Sequence, residues 1–179
     1  MDKESEFENK LKGGKALSLG KTIEVVNEVV EKSETFSEYL LLFSSEDSQV
    51  VMRASNGLKR ILENGAISFG KHKRTIVELL SNCPHDSARW TLIQLLKKYS
   101  SLLSGEELSE ARSLAKRFTL ESEEWITLTH SMDLLVKLEG KSAEDKKLVE
   151  RVRRLCDDDR KTVSRKARTL LKLLERGRP

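Results

Sequence analysis

His130 and Asp133 stand three residues apart in the segment WITLTHSMDLLVKL, the one polar pair at helical spacing in which a carboxylate could orient an imidazole for proton transfer. The densest acidic cluster is Asp157-Asp158-Asp159. Consecutive carboxylates hold calcium or magnesium when carbonyls and further oxygens converge on the same point, but the alternate spacing and the glycine of an EF-hand loop are missing. An interhelix turn with one aspartate as N-cap accounts for the cluster equally well. The three histidines, His72, His85 and His130, fall in three different helical units, and no HExxH, His-x-His or Cys-His spacing assembles a metal site. Cys83 and Cys156 belong to no CxxC and read as small buried hydrophobes. There is no GxGxxG or GxxxxGK[ST] loop, and GxSxG is absent. The expectation is a chain that is not an enzyme, with no metal, no cofactor and no small-molecule substrate.

Recognition chemistry is better represented. Four stretches each carry a polar trio at i, i+3 or i+4, and i+7, a spacing that places the three on one face of a helix. They are Arg53, Asn56 and Arg60; Trp90, Gln94 and Lys97; His130, Asp133 and Lys137; and Arg165, Arg168 and Lys172. Any amphipathic helix has such a stripe, so the trios count for function only if the helices align. Trp90 lies at the edge of the apolar stripe Leu92, Leu95, Leu96 and Tyr99, where it serves either as an exposed anchor for a partner or as a plug between helices.

The elements that position these residues are helices. Apolar residues recur at helical spacing between short polar breaks, and no bounded run of strict alternation signals a strand. The pattern predicts helices over roughly 4–12, 20–32, 36–44, 48–63, 70–81, 86–102, 105–118, 122–138 and 143–176, the last interrupted near Asp157. Thr35 with Glu38 and Ser104 with Glu107 have the form of capping boxes, and Ser142 with Asp145 is a weaker version. Gly57, inside a helix, costs about 1 kcal/mol relative to alanine, which predicts a close backbone approach there.

A period of about 35 to 39 residues runs through the chain. Asp47 leads into VVMRASNGLKRIL, Asp86 into SARWTLIQLLKKY, Glu121 into SEEWITLTHSMDLLVKL and Asp159 into RKTVSRKARTLLKLL. Each unit offers an acidic turn, a helix with apolar positions at i, i+4, i+8 and i+11, and a partner helix before it. The order acidic turn, apolar residue, arginine, small residue, leucine, seen at Asp47, Val51, Arg53, Ala54 and Leu58 and again at Asp159, Val163, Arg165, Ala167 and Leu170, resembles the HEAT repeat. MRASNGLKRI, ARWTLIQLLKKY and SRKARTLLKLL are similar to successive segments of small bacterial HEAT-repeat proteins, over about residues 47–176. The third unit departs, with Thr127, Thr129 and His130 where the others carry arginine, and Thr91 stands where a histidine is expected. The resemblance implies an all-α fold, a right-handed α-solenoid of HEAT-like helical hairpins, and carries no activity with it. Residues 1–179 read as one domain, with a helical cap over 1–34 and about four hairpins over 35–179. Asp47, Arg53, Asp86, Arg89, Asp159 and Arg165 are then structural repeat elements, with Arg53 bonding an aspartate such as Asp47 or Asp86 across adjacent turns.

In such a stack the second helices line the concave face, and the twelve trio residues form one surface, most basic at its C-terminal end. Its expected partner is a protein, with the chain acting as a non-enzymatic scaffold or adaptor. A nucleic-acid-binding module using the basic last repeat is the alternative, because Lys and Arg neutralise phosphates and release counterions. Of the net charge of +4, little is evenly spread: acids outnumber bases by five over residues 1–50, and bases outnumber acids by seven over 141–179. Charged residues make up 35% and aromatics 5% of the chain, which suits short amphipathic helices and offers few rings for stacking bases. No apolar run approaches the roughly 20 residues that cross a bilayer, and the start lacks a signal-peptide core. A cytoplasmic protein with no membrane partner is the expectation.

Overall fold

A computed structural model describes residues 6–15, 18–138 and 145–176. Among these residues the chain is all-helical, with no strand. The helices are α1 (Glu6–Leu11), α2 (Thr22–Glu31), α3 (Phe36–Leu41), α4 (Ser48–Asn64), α5 (Phe69–Asn82), α6 (Asp86–Lys98), α7 (Gly105–Glu121), α8 (Trp125–Leu138), α9 (Lys146–Leu155) and α10 (Lys161–Arg176). Short 3-10 turns at Leu42–Ser44 and Ser100–Leu102 absorb the ends of helices that the periodicity draws longer, and a third, Ser33–Thr35, runs into α3. None of the described helices is long and apolar enough to cross a membrane.

Local chemistry explains several boundaries. The Asp47 carboxylate accepts from the amides of Gln49 (2.8 Å) and Val50 (3.4 Å), capping α4, which ends at Gly65 in the left-handed region at φ 83°. Glu124 caps α8, accepting from Ile126 (2.8 Å) and Thr127 (2.6 Å), so α8 begins three residues later than expected. The Thr35 box does not form: the Thr35 hydroxyl donates to the Lys32 carbonyl (2.7 Å) because a 3-10 turn runs straight into α3. Asp145 is itself the N-cap of α9, accepting from the Leu148 amide at 3.0 Å, rather than the third-position partner of a box; Ser142 lies outside the described residues.

The chain divides into two compact units, Met1–Leu92 and Ile93–Pro179, with the division inside α6. In the first, α1, α2 and the Leu42–Ser44 turn pack on α4. Its core includes Leu11, Val25, Val29, Phe36, Tyr39, Val50, Ala54, Leu58 and Ile61. A Cβ at Gly57 would meet the Tyr39 hydroxyl, Val26 and Thr22, so the close approach inferred from the glycine is present. In the second unit, α7 pairs with α8 and α9 with α10, while α7 also packs on α9 and α8 on α10. Two helical hairpins thus lie one against the other, first helix on first and second on second. Ala111, Ala115, Leu128, Met132, Leu135, Leu148, Val152, Val163, Ala167 and Leu170 are buried in this unit.

Candidate interaction surface

Arg53 is fully buried, although its sequence position put it on an open face. Its Nε donates to the Ser18 carbonyl (2.9 Å), Nη1 to those of Leu11 (2.5 Å) and Gly13 (2.6 Å), and Nη2 to that of Lys15 (3.1 Å). The partner is therefore a loop backbone and not an aspartate; Asp47 is committed to its cap. Five fixed N–H groups in a planar fork suit a fan of carbonyls as a lysine would not. Gly20, at φ 51°, comes so close that a Cβ there would stand 3.0 Å from the guanidinium carbon. Arg53 ties the segment before α2 to the middle of α4 and contacts no solvent.

The remaining repeat elements are local. Arg89 pairs with Asp86 one turn away (2.5 Å) and donates to the Cys83 (3.0 Å) and Pro84 (3.3 Å) carbonyls, clamping the turn that opens α6. In the acidic run it is Asp158, not Asp159, that organises the turn, accepting from the Arg160 amide (2.9 Å) and from its guanidinium (2.8 and 2.7 Å). Those hydrogen bonds pull the Asp158 carboxyl down to about 2. Arg60 donates to Asn56 (2.9 Å) along α4, and Trp90 is half-buried on α6.

Within the second unit, two of the four trios meet. The Gln94 amide lies 2.9 Å from His130 Nε2, and Lys97 Nζ lies 2.9 Å from Asp133 Oδ2. Both rungs join residues 36 positions apart, so α6 and α8 run parallel in register. Lys166 extends the row into α10, with Nζ at 2.6 Å from Asp133 Oδ1. All five side chains are half-buried. Burial opposes the Asp133 charge, but the bonds from Lys166 and Lys97 outweigh it and hold the carboxyl below the usual carboxylate value. Burial likewise lowers His130, with Lys97 and Lys166 acting in the same direction and Asp133 opposing them. The His130 ring faces Gln94 while Asp133 serves two lysines, so the pair does not assemble as a proton-transfer dyad. Lys137 projects into solvent from the end of α8.

Arg165, Arg168 and Lys172 do not join this row. Val163, Ala167, Leu170 and Leu174 form the buried stripe of α10, and the trio falls on the opposite side, exposed. Lys166, at the flank of that stripe, takes the place given to them. The expected single twelve-residue surface is therefore broken: Arg53 is interior, and the α10 trio faces elsewhere. Sequence reasoning also passed over Trp125, 46% exposed at the start of α8. The signal for Lys166 was its place beside the apolar stripe; an exposed tryptophan in a first turn gives none.

Other chemistry is sparse among the described residues. No group of three or more His, Cys, Asp or Glu is placed to hold a metal ion. Burial pushes the Cys83 and Cys156 thiols up, away from thiolate character. A cavity of about 440 Å³ is lined by Lys10, Lys12, Gly13, Gly14, Gly20 and Lys21, but Lys10 is already paired with Glu28 (2.6 Å) and Glu6 (2.8 Å). His72 packs edge-on against Phe36. The chain matches no protein-family model and no curated protein.

Proposed function

We propose that the protein is a non-enzymatic scaffold of the cytoplasm, a right-handed HEAT-like stack of helical hairpins that offers its second-helix face to a protein partner. The observation that carries this reading is the row Gln94–His130 and Lys97–Asp133–Lys166, which runs across α6, α8 and α10 and is partly open to solvent. Its rungs repeat at 36 and 33 residues, close to the period of the sequence. That spacing supports the hairpin-repeat reading. Side chains held by their neighbours lose little rotamer freedom when a partner arrives, which favours affinity. With Lys137, the row carries three lysines against one aspartate, so the partner it suits is an acidic segment.

The test is site-specific photo-crosslinking from Lys137 on α8, compared with Ser113 on the exposed side of α7. The reading predicts one discrete protein adduct from position 137, lost in a Gln94→Ala/His130→Ala background and absent from position 113. Equal labelling from both positions would contradict it.

A further inference from the structure

The described C-terminal hairpin, residues 145–176, holds twelve Lys and Arg against six Asp and Glu. On α10 the excess is ordered. Lys161, Arg165, Arg168, Lys172 and Arg176 follow one another at i, i+4, i+7, i+11 and i+15, all exposed, in a single stripe about 22 Å long. Among the described residues, none of the five pairs with a carboxylate. Arg168 donates to the Cys156 carbonyl (2.8 Å), which fixes its direction without neutralising it. The one acid on α10, Glu175, is paired with Arg153 of α9 at 3.0 Å. Asp157 and Asp159 sit beyond the start of the helix, and Asp158 is held by Arg160.

We propose that this outer face of α10 is a contact surface for the phosphate backbone of double-stranded nucleic acid. A protein-binding patch has an apolar centre with a few large anchors inside a polar rim. Here no large hydrophobic side chain of residues 145–176 is exposed, and no aromatic residue occurs in that stretch. The surface has charge without an anchor, which is what a sequence-independent phosphate contact requires. Lack of aromatic platforms also argues against single strands, whose bases need rings to stack on. A continuous line of cations matches a continuous line of phosphates, and each one neutralised releases counterions. The stripe is separate from the Gln94–Lys166 row, so the proposal stands or falls independently of the protein-partner reading.

The experiment is fluorescence anisotropy of the full chain with 20-base-pair duplexes of two unrelated sequences over a salt series. Five phosphate contacts give a slope of log K against log salt of about −4.5. Arg165→Ala/Arg168→Ala/Lys172→Ala, checked for native helicity by circular dichroism, should weaken binding at least about tenfold and bring the slope to about −2. Arg165→Lys/Arg168→Lys should retain most of the affinity, because phosphate needs the charge and not a bidentate fork. Lys59→Ala/Lys71→Ala/Arg74→Ala removes the same charge from exposed sites on α4 and α5 and should leave binding within about twofold. No binding at low salt, or equal loss in this matched variant, would overturn the proposal. So would tighter binding to polyglutamate or to phosphatidylserine vesicles than to the duplex, with the same dependence on the stripe.

Discussion

Replacing Arg53 by methionine would strip the N–H partners from the carbonyls of Leu11, Gly13, Lys15 and Ser18 and leave a flexible apolar chain in their place. Three of those residues are exposed and can recover water, so the loss should be about 3 kcal/mol rather than the sum of four buried orphans. Arg53→Lys keeps the charge but cannot fan over four carbonyls, and thermal unfolding should rank it between the wild type and methionine. Gly57 makes a different case. Alanine there gains about 1 kcal/mol of helix propensity but drives a methyl into the Tyr39 hydroxyl, which is buried and bonded to the Ala54 carbonyl (2.5 Å). Overpacking of this kind costs about 1–3 kcal/mol, so Gly57→Ala should lower the melting temperature and Tyr39→Phe should recover part of the loss. The glycine was legible from sequence because its helical cost has to be offset by something. Arg53's burial was not, since its partners are backbone atoms some forty residues away and any sequence supplies carbonyls.

Among the helices, part of the acid response should come from the α6–α8–α10 row. Asp133 ionises more readily in the folded chain than in the unfolded one, so its contribution is complete above the unfolded value near 4 and fades as pH falls through the lower folded value. His130 takes up its proton less readily when folded, so stability also declines as pH drops below about 6.5. Urea unfolding between pH 7 and pH 5 should therefore show a falling midpoint, and His130→Asn should flatten that fall in part, the remainder coming from His72, also lowered by burial. An unchanged slope in the variant would mean that His130 is not held as described. The helices themselves were readable, because apolar spacing sets which face is buried. Their ends were less so: Thr35 has the capping sequence yet continues a 3-10 turn, and Glu124 caps α8 three residues past the start that the apolar spacing predicts. Helix entry depends on where the preceding turn points the chain, which residue type alone does not encode.

Across the whole chain, the basic excess gathers in the last hairpin and the polar row in the second unit, while the first unit spends its buried arginine on its own loop. The charge asymmetry was plain in the sequence. The division of α10 into a flank that meets Asp133 and an outer face whose cations meet no described carboxylate was not, because helical periodicity gives relative angles and only packing says which angle faces a neighbour. The central claim is that α6, α8 and α10 lie side by side with Asp133 bridging Lys97 and Lys166, since the repeat reading and the partner face both rest on it. A double-mutant cycle over Lys97→Ala, Asp133→Asn and Lys166→Ala, read by chemical denaturation, tests it without any partner. The predicted coupling is about 0.5–1 kcal/mol for each lysine with Asp133. Additivity within about 0.3 kcal/mol for both pairs would mean that the three helices do not meet there.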